Sequence, residues 1–145
     1  MTFRASRDRV FDAIATMDGV RGWWSTDVTG STAVGDILRF GFQLSEHSEW
    51  IVMRVDTAAH PSSVRWTCVA QFVAPRELEK NDEWIGTTVT FDLSERAPES
   101  CELRFRHIGL NASLECYAIC EPGWDHFLAS LVAYVEEGKG MPFGV

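Results

Sequence analysis

The sequence lacks the features that mark membrane-spanning, exported and nucleic-acid-binding proteins. No run approaches the ~18 uncharged apolar residues that a membrane span requires, and the opening MTFRASRDR contains no apolar signal segment. The chain carries 13 Lys and Arg against 21 Asp and Glu, and no basic cluster offsets its formal charge of -8. Nucleic acid and anionic membranes are therefore poor partners. Because the sequence shows neither a membrane span nor a signal segment, we expect a cytoplasmic protein.

Cysteine is also scarce. Cys68, Cys101, Cys116 and Cys120 form no CxxC pair and lack the density of a disulfide scaffold. With 145 residues, 46% of them hydrophobic and 12% aromatic, the chain can bury a core without such cross-links. We expect reduced thiols and one domain over residues 1–145.

Helical signals lie near the N-terminus. Ser6 is a candidate N-cap, and apolar residues recur at helical spacing as far as Met17, which predicts a helix over about 6–17 that Gly19 ends. A second short helical turn is predicted over Val20–Trp24, followed by an exit and turn through Gly30.

The middle of the chain alternates apolar and polar residues at the period of a β-strand. We predict five strands there, joined by connections short enough for antiparallel pairing; their approximate ranges are 36–42, 51–56, 64–69, 87–93 and 103–107. The one longer connection, Pro75 to Glu83, is charged.

A final amphipathic helix is predicted from about Pro122 to Glu137, with Gly138 as its stop. Because an internal proline costs a helix roughly 3 kcal/mol, any helical turn at Ser113 to Cys120 should be separate or kinked. A sheet that is apolar on one face must bury that face against another element, and this helix is the long element left to do so. The expected fold class is α+β, a curved antiparallel sheet gripping the C-terminal helix, with two short helices near the N-terminus and space for a site at one end.

This arrangement resembles the START-like (SRPBCC) superfamily with its helix-grip fold, and more narrowly the branch named for the activator of heat-shock-protein ATPase. The likeness spans nearly the whole chain and is carried by these residues: Ala5-Ser6, Val10-Phe11, Ala13, Trp23-Trp24, Gly35-Asp36, Phe40, Trp66, Trp84, Gly86-Thr87, Phe91, Phe105, His107, Gly109, Gly123-Trp124, Ser130-Leu131, Tyr134, Glu137 to Gly140 and Pro142. The first strand of such folds is usually longer than Met1 to Arg4 allows. Members include lipid carriers, cyclases and co-chaperones, so the likeness implies a fold and names no reaction.

Strand parity, helix phase and the resemblance together define a candidate ligand-binding interior. An empty apolar pocket of ~300 Å³ would cost about 7 kcal/mol, so either a ligand or side chains must fill much of the volume. In the tryptophan pair, one indole can point inward while its neighbour covers the rim, and packing is favoured over ligand contact as the role of the pair. The candidate ligand-binding residues are Trp24, Leu38, Phe40, Met53, Trp66, Phe91, Phe105, His107, Trp124, Leu128 and Leu131.

His107 lies in phase with Leu103 and Phe105 and is the polar residue of this set. It could hold a ligand oxygen or move a proton near neutral pH, or it could be a buried imidazole bonded to protein. No orienting carboxylate is evident from the sequence.

Other constellations point to no chemistry. Cys116 and Cys120, with His107 and His126, invite a zinc interpretation that the intervening Pro122 and Gly123 argue against, so no metal or other cofactor is expected. Ser113, Ser130 and His60 form no nucleophile arrangement, and the chain has no GxSxG or glycine-rich phosphate loop. The charged loop with Glu77 to Glu79, Asp82 and Glu83 reads as solvated surface, or as a gate over the cavity mouth.

Three hypotheses follow. The first is a cytosolic binding protein for a small hydrophobic or aromatic ligand held between the sheet and the C-terminal helix. The second is a cyclase-like or hydrolase-like enzyme that uses His107. The third, implied by the branch name alone, is a co-chaperone-type interaction protein with a chaperone partner. The short first strand also leaves a homodimer open.

Overall fold

The computed structural model describes residues 1–44, 47–72, 84–109 and 117–144. In chain order the elements are β1 Thr2–Phe3, α1 Arg7–Ala15, α2 Met17–Trp23, β2 Val28–Gly30, β3 Ile37–Leu44, β4 His47–Ala59, β5 Ser63–Phe72, β6 Thr88–Ala97, β7 Ser100–Ile108 and α3 Tyr117–Glu137. The strands form one antiparallel sheet in the order β1-β7-β6-β5-β4-β3-β2. The predicted α+β class and helix-grip architecture are confirmed.

The two-residue pattern of the strands determines which side of the sheet is covered. The apolar residues of the alternation are buried, as Leu38, Phe40, Val64 and Trp66 illustrate, whereas Arg65, between two of them, is exposed. Two register shifts between β4 and β5 mark bulges, which increase the local bend and twist of a sheet. The buried side chains of this inner face form one continuous core with those of the helices.

The boundary between the two N-terminal helices differs from the prediction. Ser6 caps α1 as predicted, its hydroxyl accepting the Arg9 amide proton at 3.4 Å. The helix ends at Ala15, however, and Thr16 caps α2 by accepting the Gly19 amide proton at 3.0 Å. Gly19 is therefore inside the first turn of α2, where a Cβ would overlap the Ala13 carbonyl. It permits close approach of the two helices rather than ending the first.

The segment predicted as an exit and turn after the tryptophans contains a further strand. Val28–Gly30 pairs with Leu38–Phe40 as β2 at one edge of the sheet. Three residues are too few for the two-residue period to appear in a sequence, which is why the strand was missed. At the opposite edge, β1 is as short as the sequence suggested.

The C-terminal helix also differs from its prediction at one end. It begins at Tyr117, so Pro122 is its sixth residue and lies within a continuous helix rather than at its start. The missing amide deprives one carbonyl, that of residue 118, of its partner, and the packing of the later turns outweighs that local cost. The other end is as predicted: Gly138 has a φ of +83° and donates its amide proton to the Tyr134 carbonyl at 3.0 Å.

After Gly138 the chain turns back across the helices. The buried Ser130 hydroxyl donates to the Trp23 carbonyl at 2.7 Å and accepts the Met141 amide proton at 2.6 Å. The Phe143 amide donates to the Trp24 carbonyl at 2.8 Å. These bonds join α2, α3 and residues 139–144, called the tail below. In the described part of the chain, no helix combines the length and apolar character needed to cross a bilayer.

Candidate functional site

The space between the sheet and α3 is organised around Trp24. Its ring stacks on Trp66 of β5, with centroids 5.9 Å apart and planes 1° from parallel. Phe40 of β3 lies 4.1 Å from it and Trp124 of α3 lies 5.1 Å from it. Trp24 therefore contacts aromatic rings of both the inner face of the sheet and α3.

Both tryptophans of the adjacent pair are buried. Trp23 is in edge contact with Phe91 at 6.2 Å and donates its indole proton to the Ala13 carbonyl at 2.8 Å. Trp24 is equally inaccessible. The expectation that one indole covers a rim is wrong, because Trp24 is enclosed by rings of both the sheet and α3 and Trp23 packs against Phe91.

A second group of aromatic side chains continues from Trp124 toward the end of β7. Trp124 stacks on Trp84 at 5.8 Å and contacts Phe105 at 4.7 Å. Trp84 is in edge contact with His107 at 4.5 Å. This group is called the α3-end cluster below: Trp84, Phe105, His107 and Trp124.

His107 is held by hydrogen bonds at both ring nitrogens. Trp124 Nε1 donates to His107 Nδ1 at 3.0 Å, so Nδ1 is an acceptor and the ring proton lies on Nε2. Nε2 then donates to the Thr87 hydroxyl at 2.8 Å, and that hydroxyl donates to the Trp84 carbonyl at 2.6 Å. Each donor in this series of three hydrogen bonds has an acceptor, which defines a single neutral tautomer of His107.

Burial lowers the pKa of His107 to about 4, because the charged imidazolium would lose its hydration among aromatic rings. The ring is therefore neutral at physiological pH. With both nitrogens engaged, it has no free lone pair for a ligand proton, and this arrangement matches the alternative of a buried imidazole bonded to protein.

A tight turn places Thr87 against the imidazole. Gly86 has a φ of +88°, and the Thr87 amide donates to the Trp84 carbonyl at 2.8 Å. Just after the end of β7, Gly109 approaches so closely that a Cβ there would meet the Thr87 side chain. Trp84 was noted only for its family likeness, whereas Thr87 also began the predicted strand 87–93. The contact of Thr87 with His107 depends on the pairing of β6 with β7, which a single sequence does not display.

The predicted ligand-binding residues fall into two groups by accessibility. Eight are buried: Trp24, Leu38, Phe40, Met53, Trp66, Phe91, Trp124 and Leu131. Phe105, His107 and Leu128 are half-buried. Leu128 is absent from the central core to which its neighbours Phe127 and Leu131 belong.

Accessibility rises along the inner face of β7. Cys101 and Leu103 are buried, whereas Phe105 and His107 on the same face are half-buried. Since all four side chains point toward the helices, the rise shows that the inner face is covered less completely toward the end of the strand. Phe105 therefore presents part of an inward-facing ring to solvent.

The remaining candidates show no reactive geometry. Burial raises the pKa of the Cys68 thiol to about 11 and also raises that of Cys101, so both remain protonated. Within the described ranges no group of three or more His, Cys, Asp or Glu could hold a metal ion. Cys116, Ser113, the charged loop and the side chain of Cys120 lie outside what the structure describes.

Two other polar residues weighed from the sequence are engaged elsewhere. Ser130 bonds to the backbone of α2 and the tail, as described above, and His60 Nε2 lies 3.1 Å from Asp8 Oδ1.

A separate groove of about 300 Å³ lies between α1 and the C-terminal end of α3. The residues that line it include Arg9, Asp12, Thr16 and Tyr134.

The family profile described as activator of Hsp90 ATPase homolog 1-like protein matches residues 4–136. The chain belongs to this family. Its START-like, SRPBCC-type fold agrees with the resemblance that the sequence residues carried. The search of curated proteins found no match.

Several solved structures have a similar fold. The solution structure of the Aha1 dimer from Colwellia psychrerythraea is 26% identical, with a TM-score of 0.72 over 97% of this chain and 95% of that one. The Mll3558 protein from Rhizobium loti is 16% identical, with a TM-score of 0.75 over 92% and 91%. CalU16 from Micromonospora echinospora, also 16% identical, has a TM-score of 0.66 over 97% of this chain and 65% of its own. The last two show the fold alone.

Proposed function

We propose that this single helix-grip domain binds a small, uncharged hydrophobic or aromatic molecule between the end of β7 and α3. The observation that carries the proposal is the half-buried Phe105, an inward-facing ring that contacts Phe91 at 5.3 Å and Trp124 at 4.7 Å yet remains partly accessible. Exposed aromatic surface facing inward is the kind of lining that apolar ligands cover.

The chemistry of the α3-end cluster supports an uncharged ligand. His107 is neutral with both nitrogens bonded, and the Trp124 indole proton is already donated to it. A charged group placed there would lose its hydration without gaining a partner from His107 or Trp124. The deeper rings around Trp24 are packed on one another, so the proposed ligand contacts the half-buried residues Phe105 and Leu128 rather than the whole predicted interior.

The experiment is a titration with N-phenyl-1-naphthylamine, a neutral aromatic probe whose fluorescence increases in apolar surroundings. Phe105→Trp adds bulk where the probe would lie, and Ile108→Trp is the matched control on the same strand, since Ile108 is 54% exposed and points to the opposite face. We expect saturable binding to wild type and Ile108→Trp, with affinity at least about tenfold lower for Phe105→Trp. Equal binding to all three proteins would place the probe elsewhere and refute the proposal.

The His107 enzyme hypothesis is not proposed, since the same hydrogen bonds that support a neutral site leave the imidazole no free nitrogen for proton transfer.

A homodimer is also proposed, because the Aha1 of C. psychrerythraea is a dimer. Sedimentation equilibrium tests this proposal, and a monomer mass that does not change with protein concentration would exclude it. The co-chaperone role stays a hypothesis of the sequence analysis.

A further inference from the structure

The outer face of the sheet carries a group of arginines without carboxylate partners. Arg65 of β5 and Arg104 and Arg106 of β7 all point away from α3 and are exposed. In the described chain none of the three forms an ion pair, whereas Arg54 and Arg96 on the same face pair with Asp56 and Glu102. These unpaired cations stand out on a chain whose formal charge is -8.

The strand register brings two of these arginines to either side of one threonine. Thr90 of β6 is directly opposite Arg65 on one neighbouring strand and Arg106 on the other. Since two strand spacings amount to about 10 Å, the two guanidinium groups can reach one small anion above Thr90. Both side chains are exposed, so their mutual repulsion at this separation is weak, and an anion between them would interact favourably with each.

Thr90 supplies a second, independent observation. It is 2% exposed, and its hydroxyl oxygen has no hydrogen-bond partner, alone among the buried side-chain polar atoms of the described residues. A buried hydroxyl without a partner is unfavourable, because it has given up water and gained nothing. A ligand accepting a hydrogen bond at this position would remove that cost.

Asp56 on this face is neutralised by Arg54, which leaves one carboxylate to count. Asp92 is opposite Arg104 in the register and accepts a hydrogen bond from the Ser63 hydroxyl at 3.1 Å. With Asp92 counted against Arg65, Arg104 and Arg106, the site keeps two more positive charges than negative ones. That excess suits a dianion.

We propose that Arg65, Arg106 and Thr90, with Arg104 adding charge, form a binding site for a phosphate monoester group on the outer face of the sheet. Two guanidinium groups approach from opposite sides and a hydroxyl from beneath, three directions that match the oxygens of a tetrahedral phosphate better than those of a planar carboxylate. A phosphate monoester also carries close to two negative charges at neutral pH. The site lies on the opposite side of the sheet from the proposed apolar site and is independent of it.

The test follows backbone amide shifts by NMR while inorganic phosphate is added, with acetate at matched ionic strength as the planar anion. We expect saturable shifts at Arg65, Thr90 and Arg106 with phosphate and weaker, unsaturated ones with acetate. The double variant Arg65→Gln/Arg106→Gln should lower phosphate affinity by about tenfold or more. Arg39→Gln, which removes one charge from the same face at β3, should change it little.

Thr90→Val gives a variant that keeps all the charges. It should fold at least as well as wild type, since it removes an unpartnered hydroxyl, and should bind phosphate several-fold more weakly. Shifts that fail to saturate, that match those with acetate, or that persist in the double variant would overturn the proposal.

Two further probes identify the source of the phosphate. Adenosine monophosphate represents a soluble phosphomonoester, and phosphatidylcholine vesicles containing phosphatidic acid present the same group on a lipid surface. Binding of either that is lost in the double variant supports the site and names its source. Failure of inorganic phosphate and both probes would refute it.

Discussion

At the scale of single residues, His107 provides the sharpest pH dependence. Its pKa of about 4 in the folded protein lies below the ordinary value of 6.5, so between these pH values the unfolded chain binds a proton that the folded chain does not. Stability therefore falls as the pH is lowered from 6.5 to 4, by up to about 3 kcal/mol from this residue.

The measurement is the free energy of unfolding by urea at several pH values, for wild type and for His107→Gln. Asp56 and Glu136 have pKa values below the ordinary range, so protonation of their carboxyl groups also lowers the free energy of unfolding at acidic pH. Both proteins contain these groups, so their contribution cancels in the difference. We expect the wild type to lose more stability than the variant. Parallel curves would contradict the neutral, doubly bonded imidazole.

Two buried threonines near each other along the chain give a second residue-scale prediction. Thr87 has both its donor and acceptor functions used, whereas Thr90 has no partner. Thr87→Val should therefore destabilise the fold by about 1–3 kcal/mol, because it leaves His107 and its contacts short of a partner. Thr90→Val should be neutral or stabilising by about 1 kcal/mol. Thermal unfolding of the two variants checks the opposite signs; equal losses would contradict the assignment.

At the scale of elements, Ser130 joins three parts of the chain. Its hydroxyl connects α3 to the Trp23 carbonyl of α2 and to the Met141 amide of the tail. Ser130→Ala should cost about 1–3 kcal/mol and should increase hydrogen exchange at Met141 more than at amides within β5. Ser62→Ala, at an exposed position, is the matched control. Unchanged exchange at Met141 would mean that other contacts hold the tail.

The same scale shows what the sequence could predict. Alternation identified the inner faces of β3 to β7, because the apolar side of each strand is buried and most residues of the other side are not. Helix phase placed Trp124 and Leu131 against the core. Local rules failed where packing between elements decides: Gly19 serves a helix corner rather than a helix end, and Pro122 lies inside α3.

The candidate site was predictable only in part for a related reason. Parity placed Phe105 and His107 on the inner face, but the hydrogen bonds from Trp124 through His107 to Thr87 join three elements that are distant in sequence. Trp84 carried no periodic signal, since it lies in a turn. The outer-face arginines are regularly spaced polar residues in the sequence, and only the register places two of them around Thr90.

At the scale of the whole molecule, the sheet separates two chemically different surfaces. The inner face is aromatic and is covered by α2 and α3, with Trp24 in contact with both the sheet and α3. The outer face is polar and carries exposed arginines on β5 and β7 that form no ion pair within the described residues. The two proposed sites of this chain therefore lie on opposite faces of a single sheet.

The most direct test of the central claim is an isotope-filtered NOE experiment on the labelled protein with unlabelled N-phenyl-1-naphthylamine. Binding between β7 and α3 predicts NOEs from the probe to Phe105, Trp124 and Leu128, and none to Ile108 on the other face. NOEs confined to the outer face or to the groove beside Tyr134, or the absence of any protein contact, would contradict the account.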